Sequence, residues 1–245
     1  MFIDNQARSA YLNEHTQTMK TTKFTTIKHA LLLSAALFLS MPGFAQDKEQ
    51  KKIESATTVL TDFNNMAETI PSELLAVTQG IIVIPKLINA GFVVGGKRGK
   101  GIAMVKKVDG TWSNPVFVTM TGGSIGAQIG VQSIDLVLIF KNSKSLTEIN
   151  KSSFTLGGDV SVAAGPVGRS STANTDYKLE AEVYSYSRSK GLFAGITLNG
   201  ASLDVDAVSN TKFYSKPKTA KVIFAEAAST SASVKELKSV LSSMK

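Results

Sequence analysis

The stretch that decides the fold is GIIVIPKLINAGFVVGGKRGKGIAMV, residues 80–105. Its first apolar run, residues 81–84, is short and ends at a proline, which predicts a buried strand. Two further apolar runs, residues 92–94 and 102–105, flank the glycine-rich segment 95–101 and predict a hairpin. We therefore expect this part of the chain to be a sheet whose glycines permit sharp bends.

The strand pattern continues toward the C-terminus. Asp109-Gly110 is typical of a hairpin turn, and the nearly all-apolar run 134–140 predicts a central strand covered on both faces. Residues 179–186 alternate apolar and polar side chains, which predicts a half-exposed antiparallel strand that pairs with residues 192–198. Residues 170–176 are interpreted as an exposed loop.

Helical periodicity marks both ends of this region. Residues 48–68 place Ile53 and Phe63 on one helical face, and core packing of that face is favoured over contact with lipid. A short helix is predicted to open at Pro71, and residues 231–244 repeat apolar side chains at helical spacing. The sequence thus predicts an α+β fold. It has a single domain, a glycine-rich and mostly antiparallel sheet that can curl toward a barrel, and helices at the N- and C-termini.

The first 45 residues have the features of a targeting segment. Residues 19–45 combine a basic start, an apolar stretch and small residues before a cut after Ala45, which predicts a cleaved secretory signal peptide. The apolar stretch spans about half of the ~20 residues that a membrane-spanning helix needs, so a permanent anchor is disfavoured. Residues 1–18 are interpreted as an over-extended start. Residues 46–245 are the expected exported domain, periplasmic or extracellular.

Composition excludes several classes of activity. The 245 residues carry 27 Lys and Arg against 19 Asp and Glu, a net charge of +8, and no cysteine. Disulfides, thiol nucleophiles and thiolate metal sites are therefore impossible. Both histidines, His15 and His29, lie in the targeting segment. Without His or Cys, the exported domain has neither a Ser-His-Asp triad nor an ordinary zinc site, so no metal or cofactor is expected.

Carboxylate pairs are the remaining catalytic option. Glu180 and Glu182 share a strand face, as do Asp204 and Asp206 if that segment is extended. Two acids at this spacing stand about 7 Å apart, near a glycosidase geometry. However, a strand with one solvated face produces the same pattern routinely, and no aromatic sugar platform accompanies it. We therefore predict that the protein is not an enzyme.

Basic side chains on the glycine-rich segment are the first candidate binding residues. Lys97, Arg98 and Lys100 form either an anion site with accessible backbone amides or a soluble hairpin tip with solvated charges. Residues 91–97 fit the pattern G-x-x-x-x-G-K, but Arg98 stands where a phosphate-binding loop has Ser or Thr. The segment also lies between strands rather than before a helix, so no nucleotide is expected.

Arg188 and Lys190 are the second group of candidates. Two tyrosines precede them, and aromatic rings beside cations suit a lipid headgroup interface. The alternative is a structural role in which Arg188 pairs with a carboxylate such as Asp135 or Asp159. An isolated Asp135 that enters an apolar run would need such a partner. Both interpretations stay open at this point.

The order of several short motifs resembles the SYLF lipid-binding domain, in a secreted bacterial-type form. The most specific motif is YSYSRSKGLFAG, residues 184–195, followed by Gly200. The other segments that carry the resemblance are 70–75, 80–85, 90–96, 99–101, 112–115, 124–130, 156–159 and 164–168. The resemblance covers nearly all of residues 46–245. It implies binding of phosphoinositide-type or other anionic lipids and, in eukaryotic relatives, association with actin.

The residues and the resemblance together predict an exported, non-enzymatic SYLF-type module that binds anionic phospholipid or membrane surfaces. The residues expected to make this contact are Lys97, Arg98, Lys100, Arg188 and Lys190, with a helper cluster at Lys48, Lys51 and Lys52. The alternative is an envelope protein-interaction or structural module whose cations only keep it soluble. Export and the moderate net charge disfavour nucleic acid as a partner.

Overall fold

The computed structural model describes residues 46–66, 70–147, 149, 154–166, 180–193 and 196–244. Residues 46–245 form one compact unit, and both apolar clusters of the described chain lie within it. This unit therefore holds a core of its own. The predicted over-extended start, the predicted signal peptide and the predicted loop 170–176 lie outside the described residues.

The described residues contain six helices and seven strands. The helices are α1 (Gln46–Asn64), α2 (Ser72–Ala76), α3 (Lys144–Thr147), α4 (Ala207–Tyr214), α5 (Ala220–Ala225) and α6 (Ala232–Ser243). The strands are β1 (Gly80–Val105), β2 (Val116–Phe140), β3 (Phe154–Leu156), β4 (Val162–Ala164), β5 (Val183–Ser189), β6 (Leu192–Phe193) and β7 (Ala201–Val205).

The strands form one mostly antiparallel sheet that is nearly barrel-shaped. β1 and β2 are a long hairpin whose register runs from Gly80 opposite Phe140 to Ala103 opposite Val116. The C-terminal part of β2 pairs with β5, its N-terminal part pairs with β7, and β3 joins β7. β4 lies parallel to β5, and β6 forms a hairpin with β5. The predicted α+β class with helices at both ends is thus confirmed.

β1 folds back on itself. The N–H group of Lys106, just after β1, donates a hydrogen bond of 2.8 Å to the carbonyl oxygen of Gln79, just before it. A Cβ atom at Gly101 would lie 2.0 Å from the carbonyl oxygen of Val83, so only glycine fits where the two halves of β1 meet. The chain therefore reverses direction within β1 around residues 91–95. The predicted hairpin turn at 95–101 is wrong in position, because that segment pairs with β2 as strand.

Pro85 lies within β1 instead of ending a strand. The register with β2 shifts between Ile84 and Leu87, which leaves Pro85 and Lys86 in a bulge. A bulge tolerates proline because the missing N–H group takes no place in the ladder. Lys86 has a φ of +52°, and its N–H group donates to Oδ1 of Asp135 at 3.0 Å.

Two apolar clusters stabilise the two faces of the sheet. The inner cluster fills the barrel and includes Leu146 of α3 and Ile223 of α5. The outer cluster lies between the opposite face and helices α1 and α6. Residues 134–140 contribute to both clusters, and their apolar side chains are at most 1% exposed. The prediction of a central strand covered on both faces is confirmed.

The N-terminal helix packs its apolar face into the outer cluster. Ile53, Leu60 and Phe63 are buried there, which is the core-packing alternative expected from the sequence. The predicted helices at Pro71 and at residues 231–244 are present as α2 and α6. None of the described helices is long and apolar enough to cross a membrane.

Two short helices and the limits of one strand differ from the prediction. α4 and α5 have little apolar periodicity, and their starting signals are single caps at Asp206 and Thr219. β5 begins at Val183, later than the predicted start at residue 179, because alternation indicates which face a residue takes and not where pairing begins.

Candidate functional site

Lys97 lies on the inner face of β1. Its side chain is 4% exposed, and its Nζ atom donates a hydrogen bond to the carbonyl oxygen of Thr197. Burial lowers the pKa of Lys97, because the charged form loses solvation. Lys97 therefore ties β1 to the segment that precedes β7, and its ammonium group is turned away from the molecular surface.

Lys100 is paired within the domain. Its Nζ atom lies 2.7 Å from Oδ2 of Asp206, and Asp206 also accepts hydrogen bonds of 3.0 and 2.9 Å from the backbone N–H and side-chain hydroxyl of Ser209. Burial acts to raise the pKa of Asp206, but the hydrogen bonds from Lys100 and Ser209 outweigh it, so the pKa lies below its ordinary value. Lys100 thus fastens the N-terminus of α4 to β1.

Arg188 binds two carboxylates. Its Nη2 atom lies 2.6 Å from Oδ2 of Asp62 and 3.0 Å from Oδ2 of Asp135, and its guanidinium group lies 5.6 Å from the centre of the Phe63 ring. Burial acts to lower the pKa of Arg188, but hydrogen bonds to the two carboxylates outweigh it and raise the pKa. The pairing with Asp135, one of the two alternatives from the sequence, is present. It joins the end of α1 to β2 and β5.

The two tyrosines of β5 belong to the outer cluster. Tyr184 and Tyr186 are 5% and 1% exposed, and the hydroxyl of Tyr186 donates to the carbonyl oxygen of Pro166 at 3.0 Å. Burial raises the pKa of Tyr186, because the phenolate would be poorly solvated. Both aromatic rings therefore face protein.

Arg98 and Lys190 project into solvent. Both side chains are exposed, and neither forms an ion pair or a hydrogen bond within the part of the chain that the structure describes. Lys190 and Gly191 are the two central residues of the β5–β6 turn, with φ of +50° and +80° as in a type I′ turn. Lys86 is a third exposed cation, which sequence reasoning missed because the bulge that presents it has no clear sequence signal. We name Lys86, Arg98 and Lys190 the rim cations.

The rim cations lie near one another on β1 and on the β5–β6 turn beside β2. The hydroxyl of Ser189 donates to the carbonyl oxygen of Ser133 at 3.4 Å, and Ser133 is paired with Ile88. A Cβ atom at Gly99 would lie 3.2 Å from Cα of Leu87, so Arg98 also lies near this part of β1. The structure thus brings together Arg98 and Lys190, and it adds Lys86.

The predicted helper cluster lies elsewhere. Lys48 and Lys51 are exposed near the start of α1. Lys52 donates to the hydroxyl of Ser209 at 2.8 Å, and its Nζ atom lies 5.5 Å from the centre of the Phe117 ring. The opposite end of α1 carries Asp62, which binds Arg188, two residues before Lys190. At 1.5 Å per residue, the two ends stand roughly 20 Å apart.

The candidate carboxylates do not form a paired acid site. Asp206 caps α4, whereas Asp204 accepts a hydrogen bond of 3.1 Å from the hydroxyl of Ser202. Glu180 and Glu182 are exposed and precede β5. In the described part of the chain, no group of three His, Cys, Asp or Glu side chains could hold a metal ion.

One cavity of about 200 Å³ opens between α2, the β1–β2 turn and α6. The residues that line it are Leu75, Thr78, Ile81, Lys106, Gly110, Trp112, Leu241, Ser242 and Met244. Lys106 is the one ionisable side chain in this lining, so the cavity offers no pair of groups for acid and base catalysis.

These features define a single-domain, helix-clad α+β module that presents the three rim cations, exposed and without side-chain partners among the described residues, near one another on its sheet. Residues 121–244 match the family model Ysc84, which is described as "Las17-binding protein actin regulator". That match covers half of the chain, and the chain belongs to the Ysc84 family, whose domain is the SYLF domain. The resemblance identified from the sequence is confirmed.

Relatives in fungi and animals share this domain. LAS seventeen-binding protein 3 of Saccharomyces cerevisiae is 36% identical over 159 residues, which are 64% of this chain and 34% of the relative. SH3 domain-containing YSC84-like protein 1 of Mus musculus is 36% identical over 171 residues, 69% of this chain and 50% of the relative. The Homo sapiens protein of the same name is 34% identical over 171 residues. The chain thus spans about a third to a half of the length of these curated relatives.

Proposed function

We propose that residues 46–245 are a non-enzymatic module that attaches peripherally to anionic lipid surfaces after export. The observation that supports this proposal is the position of the rim cations. They are exposed near one another on the sheet and have no acidic partner among the described residues. A cation without an internal partner can contact an external anion at no cost to the fold.

The remaining candidates have internal roles in this proposal. Each of three candidates binds a group of the domain itself: Lys97, Lys100 and Arg188. To contact a lipid headgroup, each side chain would have to break that native contact. Arg188 stands two residues before Lys190 on the same hairpin. These three residues therefore hold the strands that present the rim cations.

The expected affinity is modest. A lysine or arginine near an anionic leaflet contributes about 1 kcal/mol, so the three rim cations together contribute about 3 kcal/mol. Their attraction for lipid falls off within a Debye length, which is about 8 Å at physiological ionic strength. The association should therefore be reversible and sensitive to salt.

Vesicle flotation tests this function. Residues 46–245 are incubated with vesicles of phosphatidylcholine alone or with phosphatidylglycerol added, at low and at high salt. We expect recovery with the anionic vesicles at low salt and release at high salt. Equal recovery with neutral and anionic vesicles at low salt would remove the electrostatic mechanism, and no recovery with either would contradict the function.

We also propose that the domain is released by cleavage after Ala45. The support for this proposal is the order of basic, apolar and small residues in segment 19–45. The full chain is expressed in a bacterium with a periplasm, and the N-terminal sequence of the exported protein is determined. We expect it to begin at Gln46. A protein that stays in the cytoplasm with segment 19–45 attached would contradict export.

A protein partner is the second candidate. It is favoured by the description of the family as Las17-binding, which names a protein and not a lipid. An acidic protein surface could contact the same rim cations. A purified envelope protein that binds residues 46–245 at fixed stoichiometry, together with no recovery on anionic vesicles, would favour this candidate over the first.

A further inference from the structure

Exposed aliphatic side chains lie beside the rim cations. Ile88, Val94 and Val131 are 43%, 70% and 73% exposed. Ile88 and Val131 stand on paired strands, one diagonal step apart, and Val94 shares a face of β1 with Arg98. Neighbouring exposed apolar residues with a polar rim are typical of an interaction surface. We name Ile88, Val94 and Val131 the tip patch.

On β2, the tip patch lies on the same face of the sheet as the residues that α1 covers. On β2, Val137 and Ile139 belong to the outer cluster beneath the helices. The next residue on that face, Asp135, is held by Arg188. Past this ion pair the same face shows Val131 to solvent. The face thus changes from a packed core to an ion-paired belt and then to uncovered apolar side chains.

We propose that the tip patch inserts into the interfacial region of an anionic bilayer, with the rim cations bound to the surrounding headgroup phosphates. This inference rests on the proposed function and adds an orientation and a depth to it. Aliphatic side chains on a surface element reach the boundary between headgroups and acyl chains, about 5–10 Å deep. Lysine and arginine side chains beside them extend back to the headgroups.

The charges favour a bilayer over a second copy of this chain. Two copies that met through their tip patches would bring both sets of rim cations together, and like charges repel. An anionic bilayer supplies negative phosphates at the level of the cations and hydrocarbon at the level of the aliphatic side chains. It therefore matches both parts of the surface at once.

A single fluorescent label tests the insertion. Because the chain has no cysteine, Val131→Cys and Val108→Cys each give one site for an environment-sensitive NBD label. Val108 is fully exposed and lies in the β1–β2 turn, at the opposite end of the folded strand. On vesicles with phosphatidylglycerol, we expect the label at residue 131 to shift to the blue. Lipids that carry a quencher in the acyl chain should quench it. The label at residue 108 should do neither.

The outcomes separate the inference from the function on which it rests. If flotation recovers the protein on anionic vesicles but the label at residue 131 is unchanged, insertion is overturned and electrostatic attachment stands. If flotation recovers nothing, the proposed function itself fails. A blue shift at residue 131 that appears without vesicles and grows with protein concentration would show a second copy on the patch and would also overturn the inference.

Variants that keep strand propensity provide an independent readout. Ile88→Thr combined with Val131→Thr removes apolar surface from the patch but keeps β-branched side chains, so the fold should persist. We expect about tenfold weaker binding to anionic vesicles, and a larger share of the remaining binding should be lost at high salt. Val108→Thr is the matched control and should bind as the original chain does. Equal affinity of all three proteins would overturn insertion.

Discussion

Arg98 and Lys100 stand two residues apart on the same face of β1 but lie in different regions of the molecule. Lys100 meets the N-terminus of α4 and pairs with Asp206. Arg98 is exposed, and its side chain has no partner among the described residues. Lys100 holds a helix on the covered region of the sheet, whereas Arg98, toward the uncovered end, is left to the solvent. Pairing within the domain, and not residue type, decides which of these two cations is free to bind an external anion.

The largest effect on stability is expected in the covered region, at the glycine where the two halves of β1 meet. Gly101→Ala would place a Cβ atom 2.0 Å from the carbonyl oxygen of Val83, so the two halves of β1 would have to separate. We expect a loss of about 4 kcal/mol in the free energy of unfolding, measured by urea denaturation. At the uncovered end, Gly123→Ala meets no atom within 4 Å and should change stability by less than about 1 kcal/mol.

Similar losses at the two glycines would contradict this contrast. If Gly101→Ala and Gly123→Ala lowered the free energy of unfolding by the same amount, then the two halves of β1 would not cross closely at Gly101. The difference between the covered and the uncovered region would then need another origin.

Removal of Arg188 tests the ion-paired belt between the two regions. Arg188→Ala leaves the carboxylates of Asp62 and Asp135 without their shared partner. Asp62 is 41% exposed, so the loss should be less than for a fully buried pair, about 2 kcal/mol by urea denaturation. Arg188→Lys keeps the charge but not the planar fork, and should lose part of this amount. Unchanged stability combined with lost vesicle binding would instead make Arg188 a direct lipid contact.

A smaller effect is expected at Asp206, with a defined pH dependence. Because the pKa of Asp206 is lower in the folded state, its contribution is complete above the unfolded value of about 4 and is lost as the pH falls through the folded value. Asp206→Asn keeps a cap residue but loses the ion pair with Lys100, and should cost about 1 kcal/mol at pH 7. Thermal unfolding of both proteins between pH 7 and pH 2 should show the difference shrinking at low pH. A constant difference would contradict this account.

The helical ends and the central strand could be predicted from periodicity because burial imposes it. Ile53 and Phe63 repeat at helical spacing on α1, and residues 134–140 are apolar throughout. A reversal within residues 80–105 could be predicted, but its position could not, because glycines in segment 95–101 are equally compatible with an open turn and with a close approach of two backbones. Only the tertiary partner, Val83, distinguishes these alternatives.

The sequence indicated that basic residues would form the candidate site, but it did not indicate which of them lie on one exposed surface. Residue type alone does not distinguish the exposed cations Arg98 and Lys190 from Lys97 and Arg188, which are paired within the domain. Alternation along β1 turns Lys97 inward and Arg98 outward, but a one-residue change of register would exchange them. The partners of Arg188 come from residues 126 and 53 positions away in the chain, and such contacts have no local signal.

The most direct test is the binding of two double variants to anionic vesicles. Arg98→Ala with Lys190→Ala removes two rim cations, and Lys48→Ala with Lys51→Ala removes two exposed lysines from the far end of α1. Both pairs change the net charge equally, and both should leave stability unchanged. We predict about thirtyfold weaker binding for the first variant and less than about twofold for the second, at low salt. Equal weakening of the two variants would show that only net charge matters and would contradict binding through the uncovered end.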